Sequence, residues 1–191
     1  AAAIGAAACG LIALVKGRMN RRVLITCLLG TAQSSAMVLL ILLGADFLNS
    51  ALALSRMPVE LANWVLALDL SPLLVLAAIL VIYIVLGCVM DSLAMILLTI
   101  PIFYPIVMGM DLFGLAPSDK SIWFGILSLM VVEIGLVTPP VGMNVFIVNK
   151  MARGVSLVET YKGVMPFLIS DLLRVVLLAS VPGITLYLLN P

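Results

Sequence analysis

Apolar residues run along this chain in long blocks, and the charges, glycines and prolines that interrupt them fall at spacings that predict membrane helices. A helix needs roughly 20 mostly apolar residues to cross about 30 Å of hydrocarbon. Ala1 to Val15 is one such block, closed by Lys16, Arg18, Arg21 and Arg22. Val23 to Leu54 follows, long enough to cross with an overhang, with Asp46 and Asn49 near its far end and Arg56 and Pro58 ending it. Val59 to Leu68, VELANWVLAL, is short, carries Glu60, Asn63 and Trp64, and runs into Asp69 and the Ser71-Pro72 break. Tryptophan and acidic groups on a short apolar segment suit a helix lying along the membrane interface.

Pro72 to Met110 is long enough for a second pair of apolar helices, interrupted at its centre by GCVMDS, Gly87 to Ser92. In a straight helix Asp91 would sit in hydrocarbon at a cost of at least about 2.5 kcal/mol, so a turn is expected there. Two full crossings and a re-entrant hairpin both fit, since each returns the chain to its starting face. Beyond DLFGLAPSDK, Asp111 to Lys120, a block from Ser121 to Ile134 stops at GLVTPPVG, Gly135 to Gly142, and resumes as MNVFIVNKMARG. Each half is too short to span and together they suffice. Pro139 and Pro140 lack N–H groups, and Pro139 disfavours helical geometry at Thr138, so the segment reads as a discontinuous helix. An amphipathic stretch, SLVETYKG, then precedes a last crossing from about Pro166 to Leu189.

The expected fold class is therefore all-α, a polytopic membrane protein. Its organisation reads as scaffold helices and an interfacial arm over 1–71, a transport unit over 72–152 (hairpin 72–110, broken helix 121–152), and a connector with the last membrane helix over 153–191. Composition agrees: of 191 residues 64% are hydrophobic and 10% charged, with a mean hydropathy of +1.33, too little charge to disperse a soluble surface. A net charge of +1 provides no basic surplus for a nucleic-acid partner. The expected environment is the lipid bilayer. Threading the segments puts Lys16, Arg18, Arg21, Arg22, Lys150, Arg153 and Lys162 on one face and Arg56 and Lys120 on the other, which makes the first face cytoplasmic and the C-terminus external. The alanine-rich start resembles the trailing half of a membrane helix, and the chain is expected to be a fragment of a longer one.

Candidate chemistry is narrow. No histidine is present, which removes Ser-His and Cys-His nucleophiles and His-ligated zinc. Cys9, Cys27 and Cys88 stand apart in apolar runs with no CxxC spacing, so they read as packing residues. Asp91, Glu133 and Asp171 share no identifiable face as catalytic carboxylates, and no enzyme is expected. Irregular backbone at membrane depth survives only where protein buries it or water reaches it. GCVMDS and GLVTPPVG therefore read as parts of one site. Opened helices offer carbonyl oxygens from one half and N–H groups from the other, suited to a cation and an anion near the midplane. A hard cation such as sodium takes oxygens, here carbonyls near Gly87, Gly135 and Val137 with the Thr138 hydroxyl, while a half-helix starting near Pro140 would turn its positive end to an anion. For Asp91 a helix cap is the leading role; Glu133 reads as a cavity-facing group or an ion-pair partner; Asp171 and Arg174, three apart, read as an internal pair. Packing explains the scattered methionines.

The segments AAAIGA, LGCVMDSLAMILLTIPIFYPI, FGILSLMVVEIGLVTPPVGMNVFIV and MPFLISDLLRVVLLASVPGITLYL together resemble the large membrane subunit of the tripartite ATP-independent periplasmic (TRAP) transporters, DctM-like, of the ion transporter superfamily. The resemblance covers essentially the whole chain as the C-terminal half of such a subunit. It implies one of two inverted repeats, with GCVMDS as the tip of a re-entrant hairpin and GLVTPPVG as the break of its partner helix. It further implies a sodium-driven importer of organic acid anions, working by elevator-type alternating access in the bacterial inner membrane with a periplasmic C-terminus. Its partners would be a small TRAP membrane subunit and a periplasmic substrate-binding protein, with sodium as the coupling ion and no other cofactor. Carried over by residue, Gly87, Cys88, Gly135, Thr138 and Pro140 would hold sodium, mostly through backbone, and Asp91 and Asn144 would be substrate-side or structural polar groups. The alternative is a structural or assembly membrane subunit that does not itself transport.

Overall fold

The structure of the protein is a computed structural model that describes residues 2–17, 19–151 and 154–187. Arg18 and Arg153, two of the basic residues used to orient the chain, and the chain end after Tyr187 lie outside the described residues. Among the described residues there are nine helices and no strand: α1 (Ala2–Val15), α2 (Arg21–Ser55), α3 (Met57–Ala67), α4 (Pro72–Gly87), α5 (Ser92–Gly109), α6 (Pro117–Gly135), α7 (Met143–Met151), α8 (Leu157–Ser180) and α9 (Pro182–Leu186). Three of them, α2, α5 and α8, are long and apolar enough to cross a membrane. The chain is an all-α polytopic membrane protein.

Two compact units divide the chain, 1–44 and 45–191. The first holds α1 and the leading part of α2, and its large side chains are exposed, as with Leu29, Leu39 and Leu40. For helices of this composition, exposure to lipid costs nothing that exposure to water would.

Local chemistry sets most boundaries of the second unit. Arg56 adopts a left-handed φ of 53° between α2 and α3, and Pro58, Pro72 and Pro117 occupy first-turn positions, where a missing N–H is harmless. The start of α6 at Pro117 lies four residues ahead of the expected Ser121. Proline at that position together with Asp119 in the first turn accounts for the earlier start. Lys120 thereby becomes helical and buried, and its ammonium donates to the Met110 carbonyl at the end of α5 over 2.6 Å, a cation at a helix C-terminus. α8 departs further from expectation. The amphipathic stretch and the last crossing form one helix from Leu157, with Pro166 inside it. A capping box fixes that start: Ser156 Oγ accepts from Glu159 N at 3.2 Å and the Glu159 carboxylate accepts from Ser156 N at 3.1 Å, which stabilises the terminus enough to carry the helix through one lost backbone bond.

α6 lies at the centre of the second unit, packed against α4, α5, α8 and α9, while α3 lies along α5 and α7 against α8. Trp123, Phe124, Leu127, Val131 and Val132 of α6 are fully buried, meeting Tyr83 of α4 and Met95 and Val107 of α5. Thr99 donates to Tyr83 Oη at 2.9 Å or to the Met95 carbonyl at 2.7 Å, so these two buried hydroxyls are paired.

Prolines inside membrane helices leave the carbonyl four residues back without its donor, and two such carbonyls are taken by side chains. Pro101 lies inside α5, and the Asn49 amide of α2 donates to the Leu97 carbonyl at 3.3 Å. Pro182 follows the end of α8, and Trp123 Nε1 of α6 donates to the Leu178 carbonyl at 2.9 Å. Both bonds join separate helices at the places where each helix's own ladder fails.

Candidate functional site

The two irregular segments of the sequence meet. α4 ends at Gly87, and Cys88 to Asp91 turn the chain into α5. α6 ends at Gly135, and residues 136–142 form the break before α7. At their junction a Cβ on Gly87 would lie 2.9 Å from Gly135 Cα and 3.2 Å from the Val132 carbonyl oxygen. A Cβ on Gly135 would lie 2.7 Å from Gly87 Cα and 3.0 Å from the Ile84 carbonyl oxygen. Backbone touches backbone, so only glycine fits on either side. Cys88 Sγ donates to the Ile84 carbonyl at 3.2 Å and reaches the Pro139 carbonyl at 3.6 Å, joining the hairpin tip to the break a second time.

The break is irregular yet ordered by its own bonds. Thr138 N donates to the Gly135 carbonyl at 3.0 Å and its hydroxyl to the Ile134 carbonyl at 2.7 Å. Asn144 N donates across the break to the Leu136 carbonyl at 3.1 Å. The Pro139–Pro140 peptide is cis, and Gly142 is left-handed at φ 48°. α7 therefore starts at Met143 rather than near Pro140, because the two prolines and a left-handed residue occupy the turn that an earlier start would need. The first turn of α7 accordingly begins at Met143, with Asn144 N already bonded to the Leu136 carbonyl.

What remains uncommitted defines the chemistry. Among the described residues no hydrogen bond is made to the carbonyls of Val137, Thr138 and Pro140 at the break, nor to those of Gly87, Cys88, Val89 and Met90 at the tip. A carbonyl away from water without a donor costs about 1–3 kcal/mol. Among the described residues no group of three or more acidic, cysteine or histidine side chains is placed to hold a metal ion. The oxygens left open at the tip and the break are neutral carbonyls, a donor type that suits a hard ion. The Thr138 hydroxyl, having given its proton to Ile134, keeps lone pairs of the same kind.

The remaining expected residues are placed as follows. Asp91 is the N-cap of α5, its carboxylate accepting from Leu93 N at 3.1 Å and Ala94 N at 3.4 Å. Asn144 is exposed at the start of α7, and its backbone is what spans the break. Gly87, Cys88, Gly135, Thr138 and Pro140 all belong to the tip or the break, and Cys88 touches Pro139. Glu133 borders a cleft of about 410 Å³ along α6 and α8, shared with Met130, Val137 and Phe167. Asp171 and Arg174, also on that cleft, form an ion pair of 3.0 Å within α8. Tyr161 has no place in the sequence reading. Its hydroxyl donates to the Val141 carbonyl at 2.6 Å, and the only signal for it is its membership of the amphipathic stretch that follows the break.

The profile of the family described as tripartite ATP-independent periplasmic transporter, DctM component, matches residues 1–184. The chain belongs to this family. It is 32% identical over 163 residues, 85% of its own length and 36% of the relative's, to the C4-dicarboxylate TRAP transporter large permease protein DctM of Pseudomonas aeruginosa. It is also 32% identical to the isethionate TRAP transporter permease protein DctMQ of Oleidesulfovibrio alaskensis, covering 84% of this chain and 24% of that one. The sialic acid TRAP transporter large permease protein SiaM of Vibrio cholerae is 29% identical over 83% of this chain and 35% of its own. The chain thus spans about a third of the length of two of these relatives and a quarter of the third. The family is a transporter component and not an enzyme. Both the tip and the break of this chain lie inside the matched region.

Proposed function

We propose that this chain is the C-terminal part of the large permease of a sodium-driven secondary transporter that imports organic acid anions. The observation that carries the reading is the Gly87–Gly135 backbone contact, which sets the hairpin tip, whose Gly87 to Met90 carbonyls accept no hydrogen bond among the described residues, against the helix break, whose Val137, Thr138 and Pro140 carbonyls accept none either. Sodium is the coupling ion in this proposal. Carbonyls of Gly87, Cys88, Gly135 and Pro140 and the hydroxyl of Thr138 replace its hydration shell, and binding orders the opened backbone. The N-terminus of α7 beside it then favours a carboxylate through the N–H groups of Met143 and Val145, that of Asn144 being bonded to the Leu136 carbonyl. Coupling follows, since the anion site is complete only when the cation has fixed the break. Asp91 serves the site indirectly as the cap that holds the tip in register with α5.

Movement is of the elevator type in this reading: hairpin and broken helix, 72–152, travel against a scaffold of 1–71. α3 packs along α5, so that seam slides during transport or α3 rides with the hairpin. The substrate is an organic acid delivered by a periplasmic binding protein, as the relatives' C4-dicarboxylate and sialic acid names suggest. A small membrane subunit accompanies the permease in the bacterial inner membrane, with the C-terminus periplasmic. The decisive experiment is uptake by the full-length permease reconstituted with its partners, comparing wild type with Thr138→Ala. A weakened dependence on sodium is expected. Unchanged sodium dependence would overturn the cation role of the break and favour a purely structural subunit.

A further inference from the structure

The amphipathic first turns of α8 belong to neither the tip nor the break, yet two of their side chains hold the segment that follows the break. Tyr161 Oη donates to the Val141 carbonyl over 2.6 Å, across twenty residues of sequence. The same hydroxyl lies 3.1 Å from where a Cβ on Gly142 would stand, so the absence of a side chain there is what lets the phenol reach the backbone. Nearly two turns further, towards the end of α7, Asn149 Nδ2 donates to Thr160 Oγ1 at 2.7 Å and to the Val155 carbonyl at 3.1 Å. The capping box at Ser156 and Glu159 fixes the helix from which Thr160 and Tyr161 project. Cap, seam and phenol form one connected brace between α8 and the end of the break.

We infer that Tyr161 is a positioning residue for the ion site: by holding the Val141 carbonyl it fixes the direction of the neighbouring Pro140 carbonyl and the start of α7. The inference rests on the sodium reading proposed above for the same site. Val141 lies between Pro140, whose carbonyl carries no hydrogen bond among the described residues, and Gly142, whose carbonyl accepts Phe146 N at 3.0 Å in the first turn of α7. Without the phenol, Val141 loses its one donor, and rotation of the peptide planes beside it turns the Pro140 oxygen away from its neighbours. Tyr161 itself touches neither ion nor substrate. Its effect is confined to how well the break is set before the ion arrives.

The test uses the full-length permease with its partner proteins, as wild type, Tyr161→Phe and Asn149→Ala. Two quantities are read: sodium concentration for half-maximal uptake, and amide hydrogen exchange of residues 141–146 with sodium or potassium. Phenylalanine keeps the ring and removes the one hydroxyl. A rise of about two- to tenfold in the half-maximal sodium concentration, the span that one lost hydrogen bond covers, with uptake at saturating sodium near wild type and faster exchange in potassium, is the expected result. Asn149→Ala, which loosens the seam without touching Val141, is expected to move both quantities in the same direction by less, and it decides the matter should Tyr161→Phe not assemble. Unchanged sodium dependence in a folded variant, whether or not exchange quickens, would overturn the positioning role. Should wild-type uptake ignore sodium altogether, the sodium reading fails and the positioning role falls with it, whereas the exchange data still report whether the phenol holds the backbone.

Discussion

Gly87 and Gly135 touch through their backbones, with a Cβ on either residue falling inside 3.0 Å of the other's Cα. That contact brings the ends of α4 and α6 together, tip against break. Neither partner can yield, because each meets main chain rather than a side chain. Gly87→Ala and Gly135→Ala are each expected to destabilise the permease by about 1–3 kcal/mol, the range for forced overpacking. Gly109→Ala is the control. Its Cβ would lie 2.8 Å from Leu66 Cδ1, the movable end of a side chain, and its melting temperature in detergent should stay near wild type while those of the other two fall.

Trp123 and Pro182 offer a prediction of compensation between two sites. The indole N–H satisfies the Leu178 carbonyl that Pro182 cannot. Trp123→Phe should cost about 1 kcal/mol beyond its packing loss, as interhelical hydrogen bonds in membranes do. Pro182→Ala restores a backbone donor, so the penalty of Trp123→Phe should shrink in its presence. A double-mutant cycle on thermal stability checks this, and purely additive effects would contradict it.

Asp91 separates a cap from a ligand. Both recorded bonds of its carboxylate go to N–H groups of the first turn of α5. Asp91→Ala should lower stability by about 1 kcal/mol, whereas Asp91→Asn, an equally good cap, should retain both stability and sodium dependence. Loss of sodium dependence in the asparagine variant at unchanged stability would make the charge itself part of the site.

The turn at GCVMDS and the break at GLVTPPVG were legible because each places glycine, proline or aspartate where a membrane helix would otherwise be uninterrupted. Side-chain chemistry along one segment predicts that its ladder opens. It does not say what fills the gap, since Asn49 with Leu97, Trp123 with Leu178 and Tyr161 with Val141 are separated by 48, 55 and 20 residues. At α8 the amphipathic stretch and the crossing expected from about Pro166 form one helix, because Ser156 and Glu159 form a capping box ten residues before that proline, and a capped helix continues through a proline. The half-helix expected near Pro140 starts instead at Met143, because Gly142 with its left-handed backbone holds the chain in a turn until there. Helices are local, and the pairing of exposed carbonyls is tertiary.

The sodium reading proposed above predicts selective stabilisation by that ion. An ion that binds the folded permease and not the unfolded chain raises stability by RT ln(1 + [L]/Kd), about 2.7 kcal/mol at a hundred times Kd. The site holds no carboxylate cluster among the described residues, so ionic strength alone has no strong charge repulsion to relieve there. Sodium chloride is therefore expected to raise the melting temperature of the purified full-length permease well above the same concentration of potassium chloride. The difference should diminish in Thr138→Ala, which removes one oxygen, and in Gly135→Ala, which pushes the tip from the break, beyond the loss of stability each variant shows in potassium. Equal melting temperatures in the two salts for wild type would mean that the open carbonyls of Val137, Thr138 and Pro140 are met by water or by another part of the permease rather than by the coupling ion.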